Sequence, residues 1–197
     1  MSISAETVKK LRDATGAGMM DAKKALEETE GDYDKAIEWL RKKGESKAEK
    51  RSERSAESGM VHSYVHMDRV GALVEVNCET DFVARTEDFK NFVHDVAMHV
   101  AASSPNYLKP EDVPEDEIQK EKAVYESEIE GKPEDVKEKI ISGKLDKFYE
   151  NICLLKQKFI KDPDKTIEDY QTELIAKLGE NIVISKFARI ELGESDE

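Results

Sequence analysis

The side chains best suited to metal ligation or nucleophilic chemistry are four histidines and two cysteines. Their spacing builds neither kind of site. His62 and His66 are four apart in a segment that reads as a strand. Strand residues four apart share a face but stand about 13 Å from one another, too far to hold one metal ion. His94 and His99 are five apart on a helix and do not share a face. All four read as ordinary structural or surface histidines. Cys78 and Cys153 form no C-x-x-C pair and read as two buried, reduced thiols. Carboxylates number 44, so no single pair stands out as acid and base. The phosphate-binding pattern G-x-x-x-x-G-K-[ST] is absent, and TGAG at Thr15 to Gly18 joins two helices with no strand before it. The chain is therefore read as no enzyme, with no metal, no cofactor and no nucleotide pocket of its own. If it handles a nucleotide, it does so through another protein's pocket.

Two places carry a different kind of signal, that of a surface for a partner. Met19 and Met20 are neighbours at the start of a helix. Neighbours point about 100° apart, so one is expected in the core and one exposed. An exposed methionine there is an ingredient of a partner-binding patch. The second place is Asn77-Cys78-Glu79-Thr80-Asp81-Phe82-Val83-Ala84-Arg85, between the end of a strand and the cap of a long helix. Asp81 beside Phe82 has two readings. In one, Phe82 plugs the core and Asp81 caps, with Thr80 as the alternative cap. In the other, the pair is a protruding tip, an aromatic wedge with a carboxylate beside it. The residues alone favour the first reading.

The elements that must position these residues are legible from apolar spacing. Three short helices open the chain. Ser4 caps the first, Val8 and Leu11 give it an apolar side, and Gly16 stops it. The second runs from about Met19 to Thr29 with Met20, Ala25 and Leu26 inward. Asp32 caps the third, where Tyr33, Ala36, Ile37 and Leu40 make one face, and Gly44 is expected to end it. Residues 1–45 are thus a compact bundle. Residues 46–58 hold nothing apolar larger than Ala and read as a charged linker or solvated helix. Residues 59–197 are the body. Met60 to Met67 and Val70 to Asn77 read as a hairpin turning at Asp68-Arg69. Thr86 caps a long helix with Phe89, Phe92, Val93, Val96, Ala97 and Val100 at helical spacing. Residues 106–163 read as helical and charged, punctuated by Pro110, Pro114, Gly131, Pro133 and Gly143, with Pro114 and Pro133 in first-turn positions. Thr166 caps another helix. Ile182 to Leu192 alternates as a strand with Ile182, Ile184, Ala188 and Ile190 on one side. Strands early and late with helices between give an α+β body.

Composition limits the partners. The chain of 197 residues is 38% charged and only 7% aromatic, with a formal net charge of −13. Binding to phosphate backbones needs a Lys/Arg excess, so nucleic acid is not expected. The N-terminus MSISAETVKK has no apolar signal region and no apolar run reaches membrane length, so the expected location is the cytoplasm, with no membrane partner.

Four blocks together resemble one family. They are LRDATGAGMMDAKKAL (Leu11 to Leu26), VEVNCETDFVARTEDF (Val74 to Phe89), GKLDKFYENICLLKQKFIKDP (Gly143 to Pro163) and LGENIVISKFARIELGE (Leu178 to Glu194). In order and content they are similar to translation elongation factor Ts, in its short form with a single sheet-and-helix module. The resemblance implies that 1–45 form a ubiquitin-associated-like bundle that docks on the GTPase elongation factor Tu, with Leu11, Arg12, Met19 and Met20 at contact positions. It implies that Asp81 and Phe82, with Thr80 before and Val83 and Ala84 after, form the tip that enters the GTPase domain near its magnesium site. It further implies a guanine nucleotide exchange factor acting in translation elongation, and a homodimer through the body sheet, giving a two-plus-two complex. One departure is Gln157 followed by Lys158, where Gln-Pro is common; it bears on the local turn. A plain binding module without exchange activity is the rival reading.

Overall fold

A computed structural model describes residues 3–129 and 133–194. The described elements follow in the order α1 Ala5–Thr15, α2 Met19–Glu28, α3 Tyr33–Glu49, β1 Ser58–His66, β2 Val70–Cys78, α4 Asp81–Ala84, α5 Glu87–Ser103, α6 Glu115–Glu128, α7 Glu134–Ile152, β3 Lys158–Phe159, β4 Asp162–Thr166, α8 Ile167–Leu178 and β5 Ile182–Glu191. The α+β reading holds: a helical N-terminal segment precedes a body of small antiparallel sheets and helices. The chain divides into two compact units. The first takes in the N-terminal residues through Met60, Val76–Val93 and Asp169–Val183; the second takes in Val61–Glu75, His94–Glu168 and the chain from Ile184 onward.

In the first unit, α1 to α3 pack around Val8, Leu11, Ala22, Ala25, Leu26 and Ala36, with Ile3, Tyr33, Trp39 and Leu40 partly buried against them. Three of the six buried residues are alanines, which let the helices approach closely, and burying Leu11 and Leu26 stabilises the bundle by about 1.5–3 kcal/mol each. The caps follow the sequence. Ser4 Oγ accepts from the Thr7 N–H at 3.1 Å, and Asp32 Oδ1 accepts from the Lys35 N–H at 3.1 Å. Gly16, at φ 67°, closes α1 by donating its N–H to the Arg12 carbonyl, a left-handed position that suits glycine.

Gly44 does not end the third helix. It is buried, and the helix continues to Glu49. Residues 45–49 are good helix formers, and Lys43 and Lys47 reach Asp21 of α2 at 2.8 and 2.6 Å, which ties both sides of the expected stop to a neighbouring helix. A Cβ on Gly44 would lie 3.5 Å from the Ala176 Cβ, so its lack of a side chain serves packing against α8.

The three-stranded sheet has the order β1-β2-β5. In the middle strand Ala72, Val74, Val76 and Cys78 are buried and Leu73 is exposed, the period of two expected of a strand with one covered face. Gly59 lets β1 lie against β2: at φ 144° its absent Cβ would fall 2.2 Å from the Val76 carbonyl oxygen. The hairpin turns one residue earlier than expected. Met67 and Asp68 take φ 49° and 56°, and the Arg69 N–H closes onto the His66 carbonyl at 3.0 Å. This is the primed turn whose twist matches paired strands.

The long helix α5 is as expected, with Phe89, Phe92, Val93, Val96, Ala97 and Val100 all fully buried. Other expectations need correction. Pro114 and Pro133 stand one residue before α6 and α7, at the N-cap, where their fixed φ and missing N–H are equally harmless. Gly131 lies outside the described residues. The stretch to residue 163 is not all helical: β3 and β4 form a small antiparallel pair that holds Phe159 in the interior. Ile182 and Ile184 are buried, whereas Ala188 and Ile190 further along the same side of β5 are exposed. At the Gln-Lys departure, the Gln157 side-chain oxygen accepts from His99 Nε2–H (3.0 Å) and its amide nitrogen donates to the Asn151 carbonyl (2.7 Å). Lys158 then opens β3.

Candidate functional site

The segment after β2 is built to display one side chain. Cys78 is buried at the strand end. Thr80 then takes an extended backbone (φ −132°, ψ 151°), and its hydroxyl accepts from the Val83 N–H, capping the single turn α4. Thr80 is thus the cap, and Asp81 is not. Within a helical turn adjacent side chains diverge by about 100°. Val83 is the one that turns inward, at 6% exposure. Phe82 is thereby turned out and stands 82% exposed. The expectation of Phe82 as a core plug is overturned: Val83 is the plug. Val83 therefore anchors the turn and does not extend the tip. Ala84 is half-buried. Asp81 is exposed beside Phe82, its carboxylate 3.7 Å from the Arg85 guanidinium, a solvated pair of little energetic weight.

The turn is braced from elsewhere in the same unit. The Thr80 N–H donates to Glu180 Oε2 at 3.0 Å, and the Thr80 hydroxyl donates to Glu180 Oε1 at 2.7 Å. Next to these, the Asn181 N–H donates to Glu79 Oε1 at 2.7 Å. The buried Asn181 amide donates to the carbonyls of Arg54 at 2.8 Å and Ser52 at 3.4 Å. Glu180 and Asn181 lie within the Leu178 to Glu194 block, and neither spacing nor residue type marks them as functional. Their signal in the sequence is two polar residues between a helix-ending glycine and an apolar strand.

The bundle residues separate into core and surface. Leu11 is 0% exposed and lies in the bundle core, not on its surface. Arg12 is part-exposed and paired with its neighbour Asp13 at 2.5 Å. Met19 and Met20 are both exposed, at 46% and 74%. The expected division, one inward and one outward, fails because Ala22, Ala25 and Leu26 already fill the inner face of α2. Ile37 of α3 is exposed too, leaving the expected apolar face of that helix to Ala36, Tyr33 and Leu40.

The reactive residue types are spent on structure. Burial, then the Glu180 charge, raises the Cys78 thiol pKa. Burial pushes the Cys153 thiol up to about 11, so it stays protonated at neutral pH. The Tyr107 hydroxyl donates to Glu117 at 2.6 Å and is held up to about 12 by that bond. His99 is buried on Gln157, and burial lowers its pKa. His62 does meet a second histidine, though not His66: its Nε2 lies 3.1 Å from His94 Nδ1. That contact joins a strand to a helix, so spacing along the chain could not reveal it. Among the described residues no group of three or more His, Cys, Asp or Glu could hold a metal ion, and no helix is long and apolar enough to cross a membrane.

Further apolar side chains stand on the described surface. In the second unit Val61 and Val65 of β1, Met67 at the turn, Leu73 of β2, Ile190 of β5 and Leu192 beyond it are all exposed.

The family model described as elongation factor TS matches residues 3–194. The chain is similar over nearly its whole length to curated proteins named elongation factor Ts. It is 56% identical to that of Syntrophus aciditrophicus (strain SB), covering 98% of both chains. It is 52% identical to that of Thermodesulfovibrio yellowstonii, covering 100% of both. It is 58% identical to that of Moorella thermoacetica, covering 98% of this chain and 96% of the relative.

Proposed function

The chain belongs to the elongation factor Ts family, and from that premise we propose that it binds the GTPase elongation factor Tu in its GDP form and speeds release of the nucleotide during translation elongation. The observation that carries this is Phe82, an aromatic ring 82% exposed on a capped and braced turn.

An exchange factor shifts an equilibrium only through differential affinity. It must grip the nucleotide-free GTPase better than the GDP-bound one, and linkage then makes returning nucleotide loosen that grip by the same factor. Burying the Phe82 ring against the GTPase is worth about 1.5–3 kcal/mol. That energy is available only when two helices of the partner part. Their parting displaces the partner's magnesium ion, which tolerates little departure from octahedral geometry, and so loosens the phosphates it holds. Asp81 adds hydrogen bonding at the same place. Residues 1–45 are the docking domain, with Arg12, Met19 and Met20 on its surface. The chain after α3 connects it to the α+β body that opens with β1. The factor has no catalytic chemistry of its own and works in the cytoplasm.

The exposed apolar residues Val61, Val65, Leu73 and Ile190 fit a second copy of the chain, since a patch meeting its own copy across a two-fold axis buries the same side chains on both sides. A homodimer formed there gives a complex of two factors and two GTPases. Sedimentation should show a dimer that Val65→Lys with Ile190→Lys converts to monomer; an unchanged dimer would move the interface elsewhere.

The exchange reading is tested by stopped-flow release of a fluorescent GDP from elongation factor Tu. Adding this protein should raise the release rate in a saturable manner. Binding without acceleration would leave only a docking module.

A further inference from the structure

We infer that Glu180, with Asn181 beside it, is the positioning element of the Phe82 turn, so that the junction between α8 and β5 sets how rigidly the ring is presented. This inference rests on the exchange reading above but is separable from it.

A threonine hydroxyl has one proton to give and lone pairs to receive. Here the proton goes to Glu180 Oε1 at 2.7 Å. The lone pairs are left for the Val83 N–H, at 3.4 Å, the bond that caps α4. The second Glu180 oxygen takes the Thr80 N–H at 3.0 Å. One carboxylate therefore fixes both the backbone of the cap residue and the rotor of its hydroxyl, through two charge-assisted bonds. Phe82 itself makes few contacts at 82% exposure, so its direction is inherited from the turn. With Val83 as the only buried residue of a four-residue helix, packing alone supplies one anchor. Glu180 supplies a second, at the other end of the turn.

Asn181 extends the brace. Its N–H holds Glu79, and its amide holds the carbonyls of Ser52 and Arg54. Arg54 in turn reaches Glu79 at 3.5 Å. Three chain segments that are distant in sequence meet there: the chain after α3, the chain after β2 and the chain after α8. A buried side-chain amide that ties backbone carbonyls resists exchange for any residue lacking its donors.

The predicted consequence is a loss of force and not of docking. With Glu180→Ala the turn samples other orientations, and the saturated rate of GDP release should fall roughly tenfold, equal to about 1.4 kcal/mol. The concentration giving half-maximal acceleration should stay within about twofold. Glu180→Gln keeps an acceptor for the Thr80 N–H and a polar partner for its hydroxyl, and should restore the rate to within about threefold of the parent. In a Thr80→Ala background, Glu180→Ala should have a smaller further effect, that of the remaining bond to the residue 80 N–H, because the hydroxyl bond is already lost. Equal rates in Glu180→Ala and the parent, or effects that multiply with Thr80→Ala, would overturn the inference. A parallel Phe82→Ala variant separates the two ideas: if it leaves release unchanged, the wedge is wrong. The positioning role is then decided on the free protein, by amide hydrogen exchange at residues 80–83 and the 19F linewidth of a fluorinated Phe82. Amide exchange should rise and the 19F line should narrow in Glu180→Ala, and both should return in Glu180→Gln; unchanged values would sink the positioning role.

Discussion

The bundle surface with Met19 and Met20 and the turn with Phe82 both hold apolar side chains in water, yet they are held in different ways. The methionines open α2 behind Gly18, which makes no side-chain capping bond. Each is a flexible chain that can repack against whatever it meets. Phe82 is a rigid ring on a backbone capped by Thr80, anchored by Val83 and tied to Glu180. An adaptable pad is suited to affinity, because it conforms to its partner at small cost. On the proposed exchange reading the ring acts as a lever and must not conform, because any energy it absorbs by bending is lost to the task of opening the partner. The two places belong to one compact unit but should contribute to separate constants.

That comparison can be broken or sharpened. The largest effect expected is on the support of the pad. Leu11→Ala removes a fully buried side chain and should destabilise the bundle by about 2–5 kcal/mol, read by calorimetry, with docking weakened as a consequence. A melting temperature equal to the parent's would place Leu11 outside the core. Phe82→Ala is expected to leave melting unchanged and slow GDP release from the saturated complex by about ten- to a hundred-fold, as the burial energy above converts at 1.4 kcal/mol per decade. Equal rates would remove the lever. Met19→Ala with Met20→Ala should weaken complex formation by roughly tenfold, from partial burial of two side chains, with a smaller change in the saturated rate. Wild-type affinity in a titration calorimeter would make the pair merely structural.

The smallest effect concerns the long third helix. Lys43 and Lys47 hydrogen-bond to Asp21 and hold its carboxyl below the usual range. A lowered folded-state pKa adds stability that is present above the unfolded value of about 3.9 and is lost as pH falls through the folded value. Asp21→Asn should therefore cost at most about 1 kcal/mol at pH 7, given its partial exposure. The difference from the parent should vanish once the pH lies below the lowered folded-state value. A penalty that persists at low pH would assign the role of Asp21 to packing.

Much of the fold was legible because its signals are local. Ser4, Asp32 and Thr86 cap helices through bonds to residues three positions on. The apolar period of α5 and the alternation of β2 need no knowledge of neighbours. Missed features involve partners distant along the chain. Gly44 has the composition of a stop, but a lysine pair on Asp21 and close packing on Ala176 carry the helix through it. The β3–β4 pair is too short to have a period. At Phe82 the residue types alone favoured burial, and resemblance pointed outward.

By itself the sequence determined the capped helices, the hairpin, the acidic surface and the family, since each rests on residue order and short-range bonding. Only the tertiary structure decided which of Phe82 and Val83 faces inward, that Leu11 is interior while both methionines are not, and that Glu180 grips Thr80 from 100 residues away. Those outcomes depend on which inner positions are already filled and on which distant polar atoms come within hydrogen-bonding distance, and a linear chain carries no local mark of either.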